Sequence, residues 1–418
     1  MKTHARRFWL LALVALSTAL LTGCGSVSGT PVAGEIDIRK LDIGTYPIDP
    51  FDYRANYNPT PDNNQALAIM RLADHVADGL EIDPSLKFGR SGRAITQISD
   101  IDFLISEAEV PAVDRNHMTF GFSMSASTAE AAPDNSSLQR DVNKDEDGTA
   151  AADGTIVDLS VIQFPDAGSA TKAAQEMDAA DFAVADTNVA VSLDGYPDAK
   201  AHWRPGIPTL GATLAHGSYV IATFVKSPAP DLGPLTDMTR KALAAELPLL
   251  DQLPPLSARD LLHFRPDADA QAMFRRTLHP EDDQFLAIGH DSVLIPRGFL
   301  HRASQPEVWR DLMGAARVDK VSETAEGTQL MRVPDRAAAK KLEDGYGLLF
   351  KNNTDAPPGV PDSFCHESSV DAGGNPKTRF SCVVRYDRYV GRVFSAQLQD
   401  AHQRAAAQYA LLTNSAWM

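Results

Sequence analysis

Two short stretches carry residue types and spacings that could perform chemistry. Gly121-Phe122-Ser123-Met124-Ser125 begins like the nucleophile elbow of a serine hydrolase, but a serine stands where that motif ends in glycine. The missing glycine is needed for the sharp turn from strand to helix that exposes the nucleophile. We therefore interpret this segment as a strand with alternating side chains and assign no catalytic residue to it.

A second stretch is similar to the beginning of a calcium-binding loop. Asn143-Lys144-Asp145-Glu146-Asp147-Gly148 places oxygen-bearing side chains at alternate positions and glycine at the sixth. The twelfth position is Gly154, so the glutamate that closes such a loop around the ion is missing. We interpret residues 134–154 as an acidic surface loop and predict no metal and no cofactor, with ordered calcium as the alternative.

Two histidines invite a catalytic interpretation because they recur. His202 and His366 each lie four residues after the aspartate of a Gly-x-Pro-Asp segment. The shared glycine and proline are turn residues, whereas the residues that follow the histidines, Trp203 and Glu367, differ. We therefore expect structural roles for both histidines.

The N-terminus has the features of an export signal. Basic residues precede Phe8–Leu21, a mainly apolar run of 14 residues, which is shorter than the ~20 residues that span a membrane. Leu21-Thr22-Gly23-Cys24 is similar to a bacterial lipobox, in which the cysteine thiol carries a diacylglycerol. We predict a signal peptide over residues 1–23 and a lipidated, palmitate-bearing Cys24. Residues 24–40 would form a flexible tether, and the chain would face the extracytoplasmic side of the cell membrane. Ordinary secretion is the alternative, and Sec and twin-arginine export stay open.

Charge restricts the partners of the chain. The 418 residues carry a formal net charge of −16, which becomes −19 once residues 1–23 are removed. Nucleic-acid binding requires a basic surface, so we exclude nucleic acid as a partner. Anionic lipid headgroups would also repel the acidic folded part of the protein, so the acyl chains on Cys24 alone would hold the protein at the membrane.

The remaining cysteines, Cys365 and Cys382, are expected to form one disulfide in an exported protein. A free thiol pair or a metal site is the alternative, although two cysteines without a second Cys/His pair make a poor zinc site. When the chain is aligned with itself, alanines 201 and 212 occupy the two equivalent positions. A covalent link present in only one copy would produce this pattern.

That alignment indicates an internal duplication. Ile162–Asp166 recurs as Met331–Asp335, and each precedes an Ala-rich helical stretch; Gly195–Asp198 recurs as Gly359–Asp362. Each copy is expected to run strand, helix, short strands and closing helix. The predicted fold class is therefore α+β, with two related units that are each an antiparallel sheet covered by helices. We place the N-terminal domain at residues 41–252 and the C-terminal domain at residues 257–418. Within the N-terminal domain, a helix from about Gln65 to Leu80 is expected ahead of the first copy.

Several local strings resemble a family of uncharacterised actinobacterial cell-envelope lipoproteins built on a domain of unknown function. They include Leu41–Pro47, Arg71–Val76, Ile82-Asp83-Pro84 and Gly121-Phe122-Ser123. The resemblance implies a cell-envelope lipoprotein with two α+β units and a distinct C-terminal half that contains the cysteine pair. It implies no activity.

We expect a non-catalytic binding or assembly module for a lipid, glycan or protein partner. The alternative is an extracytoplasmic hydrolase with a dispersed active site. A serine or carboxylate within hydrogen-bond reach of His75, His117 or His202 in a cleft would favour the hydrolase. An apolar cavity without such a pair would favour binding.

Overall fold

The structure is a computed structural model that describes residues 36–50, 59–102, 104–130, 154–263, 272–279, 292–324, 327–350, 352–368 and 378–416. Cys24 and nearly all of the acidic loop at 134–154 lie outside the described residues. The chain divides into two units at residue 40, and every β-strand described below lies in the unit Lys40–Met418. No helix within the described ranges is long and apolar enough to cross a membrane.

Strands and helices follow one another twice in a similar order. The strands are β1 (Phe88–Ile95), β2 (Phe120–Ser127), β3 (Ile156–Gln163), β4 (Val189–Val191), β5 (Lys200–Trp203), β6 (Thr209–His216), β7 (Tyr219–Lys226), β8 (Ser292–Leu294), β9 (Lys320–Glu323), β10 (Gln329–Arg332), β11 (Asn353–Thr354), β12 (Ser363–Glu367), β13 (Phe380–Tyr386) and β14 (Tyr389–Ser395). The α-helices are α1 (Pro61–Ala73), α2 (Gly79–Ile82), α3 (Val110–Arg115), α4 (Ala167–Phe182), α5 (Leu232–Leu250), α6 (Ala258–His263), α7 (Pro296–Leu300), α8 (Pro306–Ala316), α9 (Arg336–Leu349) and α10 (Leu398–Asn414). Short 3₁₀ turns occupy Ile38–Lys40, Ile98–Asp100 and Phe274–Arg276.

The strands form two seven-stranded antiparallel sheets with the same topology. The first has the order β1-β2-β3-β7-β6-β5-β4, and the second has the order β8-β9-β10-β14-β13-β12-β11. Adding seven to each strand number of the first sheet therefore reproduces the second. The α+β class and the two related sheets, each covered by helices, are confirmed.

The shared sequence segments adopt the same local conformation in both copies. Asp166 and Asp335 cap α4 and α9, and each side chain accepts a hydrogen bond from the backbone N–H three residues on. Gly195 and Gly359 have φ angles of +87° and +76°, a left-handed conformation that glycine adopts without a steric penalty. The recurring residues are therefore helix-start and turn residues, which explains why they survive in both copies.

Helices cover both faces of each sheet. In the first half, alanines of α4 pack with Met177 against β3 and β7, and α5 buries Leu243 on the opposite face. In the second half, α9 buries Tyr346 against one face, and α10 buries Leu412 against the other. Burial of a leucine or methionine side chain of this kind contributes ~1.5–3 kcal/mol.

The predicted helix from Gln65 to Leu80 is interrupted. Thr60 caps α1 and Pro61 occupies its first position, α1 ends at Ala73, and Asp78 caps the separate short helix α2. The apolar repeat continues through the break, so the periodicity alone did not indicate it. Helix α1 packs Leu72 into the first core and Leu67 into the core of the second sheet. The break therefore lies where the two halves meet.

Candidate functional site

Asp74 connects the end of α1 to the start of α7. Its Oδ1 accepts a hydrogen bond of 2.9 Å from the backbone N–H of Ile295, the residue before α7 begins. Gly298 packs against the same oxygen, and a Cβ at that position would collide with it. Burial raises the pKa of Asp74 to about 7, so the carboxyl group holds a proton in a large fraction of molecules near neutral pH.

Arg297 joins α7 to α2 through a two-point ion pair. Its Nε and Nη2 donate to the Glu81 carboxylate at 2.8–2.9 Å, and its Nη1 donates to the Asp74 carbonyl at 3.1 Å. Glu81 and Asp78 each accept a hydrogen bond from the other's backbone N–H, which forms the capping box of α2. Burial raises the pKa of Asp78 to about 6.

Glu246 of α5 contacts the segment between α1 and α2, beside Asp74 and Asp78. Its Oε2 accepts a hydrogen bond of 2.7 Å from the Ala77 N–H, while Oε1 is buried without a hydrogen-bond partner among the described residues. Burial raises the pKa of Glu246 to about 8, so it is largely protonated at neutral pH. In the closing helix of the second copy, Gln408 of α10 makes a similar contact, because its Oε1 accepts from the Leu278 N–H at 2.9 Å. The second closing helix therefore makes this kind of contact with a permanently neutral amide.

His301 follows α7 and is 4% exposed. Its Nε2 donates to the Ala73 carbonyl at 3.1 Å, and its Nδ1 has no hydrogen-bond partner within the described ranges. Burial lowers the pKa of His301 to about 4, so the ring is neutral. The imidazole lies tilted against Phe122 of β2 with ring centroids 5.1 Å apart, which packs the residues after α7 onto the first sheet.

A cavity of about 330 Å³ opens beside this cluster, between α2, α7 and α8. Its lining consists of four apolar residues and four charged residues, namely Leu80, Ile295, Pro296, Leu300, Asp78, Glu81, Arg297 and Arg310. None of these lining residues is a serine, threonine, cysteine or histidine, so the cavity holds no Ser–His or Cys–His pair.

The lining suits a neutral ligand that carries hydroxyl groups. Guanidinium groups donate hydrogen bonds, carboxylates accept them, and a hydroxyl group does both. Two acidic and two basic side chains leave the lining without a large net charge, so neither a phosphate nor a cation is strongly preferred. Leu80 and Leu300 offer apolar contact to the carbon atoms of such a ligand.

His202 satisfies the distance criterion for a catalytic histidine but not the chemical one. Its Nδ1 lies 3.3 Å from Asp178 Oδ1, and its Nε2 lies 3.1 Å from Asp181 Oδ2. Burial alone would lower the pKa of His202, but hydrogen bonds to both carboxylates outweigh it and raise the pKa to about 9. A ring that is charged at neutral pH cannot accept a proton as a general base. The arrangement is a structural ion pair.

His366 has a different environment at the equivalent position. Its ring stacks on Phe350 with centroids 4.0 Å apart and an interplanar angle of 3°, and Arg392 lies over the same Phe350 ring at 4.3 Å. Burial lowers the pKa of His366 to about 4. Neither ring nitrogen has a hydrogen-bond partner in the part of the chain that the structure describes. This histidine therefore acts as a neutral stacking ring.

The other candidate catalytic segments also have structural environments. His75 donates from Nδ1 to the Arg71 carbonyl at 2.8 Å, and His117 has a left-handed φ of 58° just after α3. The predicted strand at 121–125 is confirmed within β2, where the Ser123 hydroxyl pairs with that of Ser160 at 2.9 Å. No serine or carboxylate hydrogen-bonds to His75 or His117 within the described ranges.

The cysteine pair forms a disulfide between directly opposed residues of β12 and β13. In the first copy, alanines 201 and 212 are directly opposed in β5 and β6, so the self-alignment of the sequence is confirmed by strand register. His402 of α10 places one ring nitrogen within 4.8 Å of both sulfur atoms. This is the one group of three potential metal ligands found among the described residues.

Sequence reasoning did not identify the cluster beside the cavity. Asp74 and Ile295 are 221 residues apart, and Ala77 and Glu246 are 169 apart. The only local signal was the spacing of Asp78 and Glu81, which is typical of a capping box and marks a helix start rather than a site.

The two halves match two parts of one protein family. Residues 55–265 match the N-terminal domain of unknown function DUF7373, and residues 273–415 match the C-terminal DUF7373 domain. The chain belongs to the DUF7373 family. The expected family of unknown function, with a distinct C-terminal half, is therefore confirmed. In this DUF7373 protein the first match contains β1 to β7, and the second contains β8 to β14.

Comparison with solved structures gives a more distant likeness. The extracellular domain of PknH from Mycobacterium tuberculosis is 11% identical to this DUF7373 protein, with a TM-score of 0.30. The match covers 47% of this chain and 99% of that domain. No curated protein matches the chain.

Proposed function

We propose that the protein is a lipid-anchored binding module of the cell envelope, facing the extracytoplasmic side. Its ligand would be a hydroxyl-rich envelope molecule such as a glycan, bound in the cavity between α2, α7 and α8. The Leu21–Cys24 motif supports the anchor. The Cys365–Cys382 disulfide supports export, because such bonds persist in oxidising compartments.

The balanced lining of the cavity is the observation that carries the proposal. Arg310 and Arg297 supply donors, and Asp78 and Glu81 supply acceptors. The hydrolase alternative is less well supported, since His202 is held as a charged ion-pair partner and lies outside the cavity lining.

Co-purification from native membranes tests this function. The lipidated full chain would be extracted in mild detergent, and the small molecules that it retains would be identified by mass spectrometry. We would compare wild type with Arg310→Ala, and with Arg115→Ala as a matched control. Arg115 is also an exposed, ion-paired arginine, but it does not line the cavity.

Wild type and Arg115→Ala should retain the same hydroxyl-rich molecule. Arg310→Ala should bind it ~10- to 100-fold more weakly, the effect of losing a hydrogen bond from a charged donor. Equal retention by all three proteins would place binding elsewhere. A retained molecule without hydroxyl groups would contradict the ligand class.

A further inference from the structure

We propose that Cys365, Cys382 and His402 form a redox-gated site for a soft divalent cation such as Zn²⁺, which binds after the disulfide has been reduced. In the oxidised protein the two sulfur atoms are bonded to each other and are not thiolate ligands. Reduction yields two thiols beside an imidazole, and this donor set is one that zinc prefers. The inference is independent of the cavity and its ligand.

The three ligand groups come from three elements that pack together. Cys365 lies on β12, Cys382 lies on β13, and His402 lies in the first half of α10, which packs over β13 and β14. One ligand atom from each residue lies within 4.8 Å of the other two. With zinc bonds of ~2.3 Å to sulfur and ~2.0–2.1 Å to nitrogen in a tetrahedral site, the two sulfur atoms would move apart from their bonded positions after reduction, and all three ligand atoms would still lie within the span that they occupy now.

His402 already has the outer hydrogen bond of a metal-binding histidine. Its Nε2 lies 2.7 Å from the Asp355 carbonyl oxygen, and a carbonyl can only accept, so Nε2 carries the proton. Nδ1 is then the nitrogen with a free lone pair. A backbone carbonyl that orients the ring in this way is the usual second partner of a histidine ligand.

The sheet would keep the two thiols together after reduction. Cys365 and Cys382 face each other within an antiparallel pairing of five residue pairs between β12 and β13. In the first sheet Ala201 and Ala212 keep the equivalent pairing with no covalent link. Strand pairing holds these positions opposite each other in the first sheet, and by analogy it would keep the reduced cysteines near each other in the second, although with lower local stability.

The chemistry balances with an external dithiol as the reductant. One thiolate of the reductant attacks a protein sulfur and forms a mixed disulfide, and its second thiol then displaces that sulfur. The reductant leaves as a disulfide, and the protein gains two thiols. Zinc binding then releases the two thiol protons to solvent.

Metal titration of the full chain tests the proposal. All samples would carry Cys24→Ala, so that Cys365 and Cys382 are the remaining cysteines. A phosphine would replace the dithiol because it reduces the disulfide without competing strongly for the metal. Co²⁺ titration would be followed by thiolate-to-cobalt absorption, then by displacement with Zn²⁺ and native mass spectrometry.

The reduced chain should bind one metal ion, and the oxidised chain should bind none at this site. His402→Ala and the size-preserving His402→Gln should weaken binding by at least about 100-fold, more than the loss of an outer partner costs. The matched control carries Cys365→Ala and Cys382→Ala together with Ala201→Cys and Ala212→Cys. This variant moves the cysteine pair to the first sheet, away from His402. It should therefore bind the metal as weakly as the His402 variants do.

Three outcomes would overturn the site. They are a disulfide that the phosphine does not reduce in the folded protein, no metal bound by the reduced protein, and unchanged affinity in both His402 variants. Hydrogen exchange on each variant would verify that the second sheet stays folded, so a loss of binding reports on the ligand.

Discussion

At the scale of single residues, the two copies place different chemistry at equivalent positions. His202 is charged between two aspartates, whereas His366 is neutral and stacked on an aromatic ring. In the two closing helices, at positions that differ, Glu246 and Gln408 each accept a backbone N–H, yet only the glutamate can ionise. Duplication has preserved the backbone framework, and the side chains have diverged within it.

Glu246→Gln should stabilise the protein at alkaline pH. The pKa of Glu246 is about 8 in the folded state, against an ordinary value of 4.5. Between pH 4.5 and pH 8, the folded protein therefore binds a proton that the unfolded protein has released. Its contribution to stability is therefore full below about pH 4.5 and is lost as pH rises towards 8. We expect the variant to gain ~1–3 kcal/mol at pH 8 and to show a flatter pH dependence, measured by urea unfolding.

Gln408→Glu is the matched control for this prediction. It introduces a buried carboxyl group in the closing helix of the second copy, where Nε2 of Gln408 donates to the Arg276 carbonyl at 2.7 Å. Stability should fall and should decrease further with rising pH. An unchanged pH profile in Glu246→Gln would mean that Glu246 does not hold its proton.

At the scale of elements, short helices join the two halves, and one strand pair within the second sheet carries the disulfide. α2 and α7 meet through Arg297 and Glu81, and α1 contributes side chains to the cores of both sheets. The disulfide links only β12 and β13, whose connection spans 17 residues against 11 in the first copy. Its effect on stability should therefore be greatest near these strands.

Removing both cysteines should destabilise the second sheet selectively. On the chain-entropy model, a closed loop of this length contributes ~3 kcal/mol. Hydrogen exchange on Cys365→Ala/Cys382→Ala should show lost protection in β12 and β13 and smaller changes in β5 and β6. Equal loss across both sheets would indicate that the halves unfold as one cooperative body and would contradict the two separate domains at 41–252 and 257–418.

At the scale of the whole molecule, the predicted lipid anchor would hold the protein at the membrane. Cys24→Ala should move the protein from the detergent phase to the aqueous phase on phase separation, because acyl chains contribute ~0.8 kcal/mol per buried methylene. The negative charge of the chain gives little other attraction to anionic lipid. Equal partitioning of wild type and variant into the aqueous phase would contradict the lipid anchor.

The sequence by itself determined the features that depend on neighbouring residues. Asp166 and Asp335 were readable as helix starts, Gly195 and Gly359 as turns, and the alignment of Ala201 with Cys365 followed from their spacing. Caps, left-handed turns and alternation act over a few residues, so their signals are present in the linear order. They were sufficient for the fold class, the duplication and the cysteine pair.

Only the tertiary structure decided the break between α1 and α2 and the cluster at the junction. Asp74 meets Ile295 across 221 residues of chain, and Ala77 meets Glu246 across 169. Each side chain is unremarkable in its own segment, and the raised pKa values arise from burial against distant elements. Long-range packing generates such a site, and contacts between residues far apart in the chain produce no periodic pattern in the sequence.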